Sequence, residues 1–505
     1  MFGGVDMAGW ATRLFGGNSK RDQSPRRRAR PTCEGLEGRQ LLAASLAQPN
    51  DVLVSAGTGY QLALDGSGTT SAQTYTVTSS NPKIAATVAQ GQFFTIGVTH
   101  TAANANDVSF SGTMVLQMFQ DLTPVTVQRI SSLINQGFYL QPTAQNDPNT
   151  GMPFPSKNWH RIASGFPGST DYIVQGGSVN GDGTGSVNQP GFPFANEIVP
   201  QLSFNGTGQL AMANAGGTMT NDSQFFITTG QPSFLTGNYT IFGQLVSGMD
   251  IVDKMTQVAT TGNPKTTPVS PILFTVASLS DTNSNGVIHI DATKAAAGDS
   301  TTLTITATDT SGNKVTRTMN AYVPGDTGAV RLLNDVLIAT PLPRRHRGRN
   351  DIKINEFQGN IYAVVNGVAD KTLVADSALM RVVAYGSKTS DTITVSPDVF
   401  ADATLDGGHG GFNRLTAGGG QTRIHGWFGF NVMKGGPERD FLIGRKGRVK
   451  FVHSPGHDLY FIGEPRSTIL YKHHKAVAPF GMVVSVPATN TALHKAGRSS
   501  HKRTV

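Results

Sequence analysis

The amino-acid sequence predicts a multidomain, mainly β protein. The chain has 505 residues, and a single hydrophobic core rarely serves more than about 250–300 residues. Only 15% of the residues are charged and 59 are glycine, a balance that suits short strands and turns better than helical bundles. Alternating apolar and polar residues occur towards both ends of the chain, and a helical pattern lies between them.

Residues 1–48 are predicted to be a leader for export. An arginine-rich run, SPRRRARP, precedes the short apolar stretch LEGRQLLAASLAQP, which ends in small residues. This stretch is similar to the LE-x-R-x-L leaders of large exported bacterial proteins. We therefore expect the protein to work outside the cytoplasm, at the cell surface, in the periplasm or in the medium.

The net charge of +8 is concentrated in the leader, in a run at 341–350 and in a run at 494–505. Such runs are typical of solvated, flexible segments, and contact with an anionic surface polymer, a membrane or nucleic acid is the alternative. No aromatic platform or recognition helix accompanies them, so nucleic acid is not an expected partner. Cys33 is the only cysteine in the sequence, and no apolar run reaches the ~18–20 residues that a membrane helix needs.

Two segments, 49–109 and 279–326, are predicted to be immunoglobulin-like or cadherin-like strands. The first includes GYQLALDG, and the second includes LTITATDTSGNKVTRTM, a strand, a turn and a second strand. Each segment has about half of the ~100 residues that such a sandwich requires. One hypothesis is that they form a single domain with the region between them inserted, which is tolerated when the ends of an insert lie close together.

The central region, 110–278, begins with a strand and a helix. Thr123 is a candidate N-cap, Pro124 takes the first helical position, and Gly137 ends the pattern. Apolar residues recur at helical spacing between them, at Val127, Ile130 and Ile134. The pattern predicts a globular α+β domain.

After a linker at 327–350, the segment 351–465 repeats turns that contain a glycine pair. It resembles a degenerate β-roll of the Gly/Asp-rich, calcium-binding type, whose turns need carboxylates to bind the ion. Only Asp406 and Asp440 remain at such positions, which favours a structural solenoid without calcium. The segment 466–505 is predicted to be a basic, solvated tail, in which YKHHK lacks the spaced partners of a metal site.

The stretch GQLAMANAGGTMTNDSQFFIT, 208–228, places amide and aromatic side chains close together. Rotation about an X–Pro amide uses such groups, because it breaks no bond and moves no proton. Its barrier of ~18–20 kcal/mol comes from amide resonance. A catalyst holds the chain with amides, holds the proline ring with apolar groups, and places a donor near the nitrogen of the twisted amide.

A series of motifs runs through this region: HRI, QGG, GDGTG, MANAG, SQFFIT and FLTGNYTIFGQ. In this order they resemble the cyclophilin-type peptidyl-prolyl cis-trans isomerases over about 165 residues, roughly 110–278. The resemblance implies a closed eight-stranded barrel with two helices, and TPVTVQRISSLIN is expected to be the first helix.

The resemblance also implies the site. Arg161 matches the catalytic arginine, and Gln175 and Gln224 match polar groups that hold the substrate. A proline pocket is expected at Tyr172, Ile173, Phe226 and Leu235, with a strand for the substrate backbone at Ala213, Asn214 and Ala215. Phe234 stands where many members have the tryptophan that helps to hold cyclosporin, and Tyr239 where they have histidine; both are similar to the bacterial-type subset.

One departure from the family lies beside the pocket. Nine residues, ASGFPGSTD, separate HRI from YIVQ where the family usually has three. Phe166 is therefore an alternative to Tyr172 and Ile173 at the pocket. His160 is expected to be a packed structural residue rather than a base, and Phe225 a core residue. No cofactor and no metal are expected.

The function predicted is proline isomerisation in exported proteins, with proline-containing polypeptides as substrates. The alternative is a non-catalytic surface or adhesion protein that uses a cyclophilin-like domain as a binding module. Arg161 distinguishes the two, because a binding module has no need of a fixed cation beside the pocket.

Overall fold

The structure is a computed structural model that describes residues 43–485, with side chains up to Phe461. The residues not described within this range are 106, 144–145, 147–150, 164–171, 263–265, 342–348, 445–446, 453, 457, 463–467, 472–473 and 478–482. Most of the predicted leader, the basic part of the linker, the end of the tail and the alternative pocket residue Phe166 therefore lie outside the described residues. No helix among those described is long and apolar enough to cross a membrane.

Seven strands from two distant parts of the chain form two facing sheets. Those before the barrel are β1 Val52–Leu53, β2 Gly59–Leu64, β3 Gln73–Ser79 and β4 Ala85–Val88. The strands after the barrel that complete these sheets are β15 Gly286–Asp291, β16 Ser300–Asp309 and β17 Lys314–Tyr322. One sheet has the order β1-β17-β16-β3 and the other has the order β2-β15-β4. The segments 49–109 and 279–326 thus share strands in both sheets, with Ile288, Leu303 and Ile305 fully buried between them.

A closed eight-stranded barrel lies between these two groups of strands, as the fold class predicted. The chain segment contains β5 Phe93–His100, β6 Phe110–Met118, β7 Asn158–Ala163, β8 Ile173–Gly176, β9 Gln209–Met212, β10 Phe225–Thr228, β11 Ile241–Ser247, β12 Thr260–Thr261, β13 Thr267–Pro268 and β14 Ile272–Ser280. Around the barrel the order is β10-β8-β7-β14-β5-β6-β11-β9, and β12 pairs with β13 in a separate ribbon.

Two helices pack on the barrel, α1 Pro124–Asn135 and α2 Met249–Met255. Helix α1 begins at the predicted proline and buries the predicted apolar face of Val127, Ile130 and Ile134. The Thr123 side chain makes no capping bond to the helix; the Glu197 carboxylate accepts the N–H groups of Val125 at 3.1 Å and Thr126 at 2.7 Å instead. A carboxylate supplied from elsewhere in the chain therefore stabilises this helix N-terminus.

Two predicted boundaries differ in the structure. Strand β5 lies before residue 110 but belongs to the barrel, where its alternate side chains Phe94, Ile96 and Val98 enter the core. Leu46, placed in the leader by the sequence, is 3% exposed and packs in the core of the sandwich. The alternation of apolar residues in β5 is compatible with either neighbour, and only the pairing partner decides between them. Leu46 lies in no strand, and its burial comes from packing against residues that are distant in sequence.

The strands that follow β17 alternate between two mostly parallel sheets. They are β18 Val330–Leu333, β19 Val336–Ala339, β20 Asn350–Phe357, β21 Asn360–Val365, β22 Val368–Ala369, β23 Val374–Ala375, β24 Arg381–Tyr385, β25 Asp391–Val395, β26 Asp402–Asp406, β27 Phe412–Thr416, β28 Thr422–Gly426, β29 Phe430–Lys434, β30 Phe441–Gly444, β31 Arg448–Val452, β32 Leu459–Ile462, β33 Thr468–Tyr471, β34 His474–Val477 and β35 Val483–Ser485.

This two-sheet solenoid extends beyond the range 351–465. Strands β18 and β19, in the predicted linker, pair with each other, and β19 also pairs in parallel with β24. Strands β33 to β35, in the predicted tail, pair with β31, with each other and with β32. Successive coils place side chains in rows across the sheets; for example, Asn413 donates from its amide to Asn431 Oδ1 at 3.0 Å, 18 residues away.

The two turn carboxylates expected from the sequence are bound by protein donors, as are Asp391 and Asp458 at other turns of the solenoid. Asp406 accepts the indole N–H of Trp427 and the N–H of Gly408, both at 2.8 Å. Asp440 accepts the N–H of Thr422 at 2.7 Å and that of Gly436. In the described part of the chain, no group of three or more His, Cys, Asp or Glu side chains is arranged to hold a metal.

We predict that the solenoid does not depend on calcium for stability, because its turn carboxylates already have donors and its other turn side chains offer no shell of charged oxygens. The measurement is thermal unfolding of the full chain, followed by the far-ultraviolet β signal with and without chelator. Equal midpoints are expected. A midpoint several degrees lower with chelator would contradict the prediction.

Candidate active site

The predicted catalytic arginine lies on the barrel wall. Arg161 is half-buried on β7, between the buried residues His160 and Ile162. Strand pairing places it directly across from Gln175 on β8, and its Nη1 donates to Gln175 Oε1 at 3.3 Å. Two residues that are 14 positions apart in sequence are thus brought together by the pairing of their strands.

The hydrogen-bond chain continues through two amides. Gln175 Nε2 donates to Gln224 Oε1 at 3.1 Å, and Gln224 Nε2 donates to the carbonyl of Gly183 at 2.9 Å. Each amide therefore has one orientation that satisfies both neighbours. This amide relay, Arg161–Gln175–Gln224, turns the carbonyl oxygen of Gln175 towards the guanidinium and limits the orientations that Arg161 adopts.

An apolar cluster adjoins the relay. On β10 the alternation of side chains sends Phe225 into the barrel core, where its ring lies against Trp159, and sends Phe226 to the opposite face. Phe226 is 2% exposed, stacks on Phe204 at 5.7 Å and meets the edge of Tyr239 at 5.9 Å. The same cluster includes Ile173 and Leu235 of the predicted pocket, and Ala213 of the segment predicted to receive the substrate backbone.

Two predicted aromatic residues are exposed and adjoin members of this apolar cluster in sequence; we call them the rim of the cluster. Tyr172 is 41% exposed with φ of 46°, and its carbonyl accepts the N–H of Thr229 at 2.7 Å. Its ring packs so closely over Gly230 that a Cβ there would lie 2.9 Å from Tyr172 Cγ. Phe234 is 54% exposed on the 3-10 turn Ser233–Leu235. Both residues have ring surface available to a ligand.

The segment expected to receive the substrate backbone follows β9, which ends at Met212. The N–H of Ala213 is taken by the carbonyl of Gln224 at 3.0 Å, and Ala215 is exposed. The Asn214 side chain makes two hydrogen bonds to the backbone. Its Nδ2 donates to the carbonyl of Asn238 at 3.0 Å, and its Oδ1 accepts the N–H of Gly216 at 2.9 Å. The side chain of Asn214 therefore holds the segment in place.

A groove of about 390 Å³ brings together five predicted residues: Gln175, Ala213, Asn214, Ala215 and Gln224. Its opposite wall was not assigned from the sequence and comes from Gly183 to Ser186, Pro193, Thr220 and Asp222. The GDGTG motif was the available signal for this wall. Asp222 holds it by accepting the Ser186 hydroxyl at 2.6 Å and the N–H of Val187 at 3.1 Å.

Known proteins match the barrel region of this chain. The profile of the family described as cyclophilin type peptidyl-prolyl cis-trans isomerase matches residues 104–276. The peptidyl-prolyl cis-trans isomerase-like 1 of Rhizopus delemar is 36% identical over 163 residues, which are 32% of this chain and 86% of that protein. This chain belongs to the cyclophilin-type peptidyl-prolyl cis-trans isomerases.

Other relatives come from distant organisms. The peptidyl-prolyl cis-trans isomerase B of Streptomyces anulatus is 36% identical over 158 residues, 31% of this chain and 83% of that protein. The human peptidyl-prolyl cis-trans isomerase-like 1 is 34% identical over 161 residues, 32% of this chain and 82% of that protein. The protein is therefore an isomerase of X–Pro peptide bonds, and its substrates are proline-containing polypeptides.

His160, next to the arginine of this cyclophilin domain, lies under the loop at 181–185. It is 9% exposed, and its Nδ1 lies 3.4 Å from the Ser178 hydroxyl, which also accepts the N–H groups of Gly181 and Gly183. Burial is the main reason that the pKa of His160 falls from 6.5 to about 4, with the Asp182 carboxylate opposing this and Arg161 adding to it. The imidazole is therefore neutral at neutral pH.

We predict that His160 makes the cyclophilin domain acid-sensitive. The pKa of His160 is about 4 in the folded state and ordinarily 6.5. Between these two pH values the unfolded chain binds more protons than the folded chain, so the stability of the fold decreases as the pH falls from 6.5 to 4. His160→Gln should reduce this pH dependence. The measurement is the midpoint temperature for loss of isomerase activity between pH 7 and pH 4.

His409→Gln, at an exposed histidine of the solenoid, is the matched control and should leave the pH dependence as in the wild type. Equal slopes for the wild type and His160→Gln would contradict the prediction.

Proposed function

We propose that Arg161 is the group that stabilises the twisted X–Pro amide. Twisting removes the conjugation of the amide and localises a lone pair on the proline nitrogen, which a fixed donor then stabilises. The observation that carries the proposal is the amide relay: Arg161 is held by Gln175, which is held in turn by Gln224, immediately beside the apolar cluster of Phe226. A cation held in this way needs little reorganisation when the amide twists.

The proposed binding mode divides the substrate between two surfaces. The proline ring would lie against Phe226, Ile173 and Leu235, with Tyr239, Tyr172 and Phe234 at the rim. The backbone before it would run along Ala213 to Ala215 into the groove. Burial of a ring against aromatic and aliphatic groups is favoured by the hydrophobic effect, and the bond that rotates then lies between the two held parts.

We also propose that the isomerase is exported and of the bacterial type, and that it assists the folding of proteins outside the cytoplasm. The leader-like residues 1–48 and the residues Phe234 and Tyr239 support this proposal. The basic segments, which lie mostly outside the described residues, would add contacts to anionic surface polymers. Fractionation of cells that express the full chain, with detection by antibody, tests it; recovery in the cytoplasmic fraction alone would exclude export.

Arg161→Ala should lower kcat/KM for a short proline peptide by ~10²-fold or more, the scale of losing one preorganised donor. The thermal midpoint should change little, because a half-exposed cation contributes little to the core. Lys254→Ala, at an exposed lysine on helix α2 of the same domain, is the control and should isomerise like the wild type.

If Arg161→Ala isomerises as fast as the wild type, the role proposed for Arg161 fails. If the wild type is inactive as well, the non-catalytic alternative, a binding module in a surface or adhesion protein, replaces the proposal. A protease-coupled assay at low temperature measures both proteins under the same conditions.

Phe234→Trp should tighten cyclosporin binding while turnover of a short proline peptide stays about the same. Phenylalanine covers less area than tryptophan and lacks the indole N–H donor, and the residue at this position is 54% exposed at the rim. Inhibition constants and kcat/KM are measured for the wild type and the variant. Unchanged inhibition would argue against placing Phe234 at the rim of the ligand site.

A further inference from the structure

The solenoid has one strongly basic face. Strands β25, β27, β29 and β31 lie side by side, and their outward positions carry Arg414, Lys434, Arg448 and Lys450. No outward position on these four strands is acidic; the others hold threonine, valine and phenylalanine. We call this surface, together with Arg349 at its edge, the basic face.

Strand register arranges these side chains in rows across the sheet. Arg414 pairs with Val432, which pairs with Lys450, and Phe412 pairs with Phe430, which pairs with Arg448. Parallel strands lie about 4.8 Å apart, so the cations recur along the solenoid axis at multiples of this spacing. A straight polymer with anionic groups at a similar spacing would meet several cations at once.

An aromatic row runs beside the cations. The rings of Phe412 and Phe430 stack at 5.3 Å with an angle of 20°, and the Arg448 guanidinium lies 5.9 Å from the Phe430 ring. Phe412 is 40% exposed, and on its other side it lines a groove of about 570 Å³ with Arg349 and Ser390. The groove is therefore lined by an aromatic ring and by an arginine, whose Nε donates to Thr392 Oγ1 at 2.9 Å.

On strands β24, β26 and β28 of the opposite sheet, the two signs of charge are balanced among the described side chains. The outward charged residues of β24, β26 and β28 are Arg381, Asp402, Asp406 and Arg423, two of each sign, with His425. The excess of positive charge is therefore found on the basic face and not on these three strands of the other sheet. This balanced face supplies a matched control.

We propose that the basic face binds a linear acidic polysaccharide, with carboxylates on the cations and a sugar ring against Phe412. Guanidinium groups bind carboxylates in a planar, bidentate manner, and a ring face suits the C–H groups of a sugar. A single-stranded nucleic acid fits less well, because it needs a series of open ring faces, whereas Phe412 and Phe430 stack on each other and Arg448 lies over the Phe430 ring. The site is separate from the isomerase site and does not depend on the proposed function.

The test is binding of the full-length protein to polygalacturonate, a linear chain with one carboxylate per sugar, with neutral dextran and poly(dT) as comparison ligands. The wild type should bind polygalacturonate, release it as salt increases, and bind dextran and poly(dT) more weakly. Arg414→Ala/Lys434→Ala/Lys450→Ala should weaken binding about tenfold or more. Arg381→Ala/Arg423→Ala, on the balanced face, should bind like the wild type, although it loses two positive charges from the opposite sheet of the same solenoid.

Phe412→Ala keeps the net charge and should also weaken binding of polygalacturonate. Isomerase activity and the far-ultraviolet β signal confirm that each variant is folded. Equal affinities for the triple variant and the balanced-face variant would overturn the proposal, since the other basic segments would then account for binding. Tighter binding of poly(dT) than of polygalacturonate would overturn it as well.

Discussion

The pairing of β5 with β14 is the contact on which the architecture depends. The chain leaves the sandwich after β4, enters the barrel through β5, and returns from the barrel to the sandwich through β14. These two strands pair antiparallel from Phe93 with Ser280 to His100 with Ile272. Because the entrance and exit of the inserted domain are neighbours, β3 meets β16 and β2 meets β15 although the barrel lies between them in sequence.

The floor of the isomerase site is continuous with the contact between barrel and sandwich. The cluster that contains Phe226 and Phe204 also contains Phe119 from the barrel and Ala89 and Val287 from the sandwich strands and their flanks. A close-packed interior transmits displacements from one side chain to the next. The orientation of Phe226 is therefore supported by two domains, whereas the amide relay at the other side of the site lies within the barrel.

Local patterns in the sequence predicted those parts of the site that depend on neighbouring residues. Pro124 and the spacing of the apolar residues after it located helix α1, and alternation on β10 separated Phe225 in the core from Phe226 at the site. The motif series identified the family over a third of the chain. The wall of the groove around Asp222 was missed, because its contacts join loops that no periodicity connects.

The sequence by itself determined the position of helix α1, the strand character of the central segments and the residue types that carry the chemistry, because helical spacing and alternation act over a few residues. Only the tertiary structure decided that β5 belongs to the barrel, that Leu46 is buried in the sandwich, and that the cations of β27 and β31 fall in one row. Arg161 and Gln224 lie 63 positions apart, and Gln175 connects them through two hydrogen bonds. Such proximity comes from strand pairing between distant segments, which is selected by packing of the whole fold rather than by any local preference.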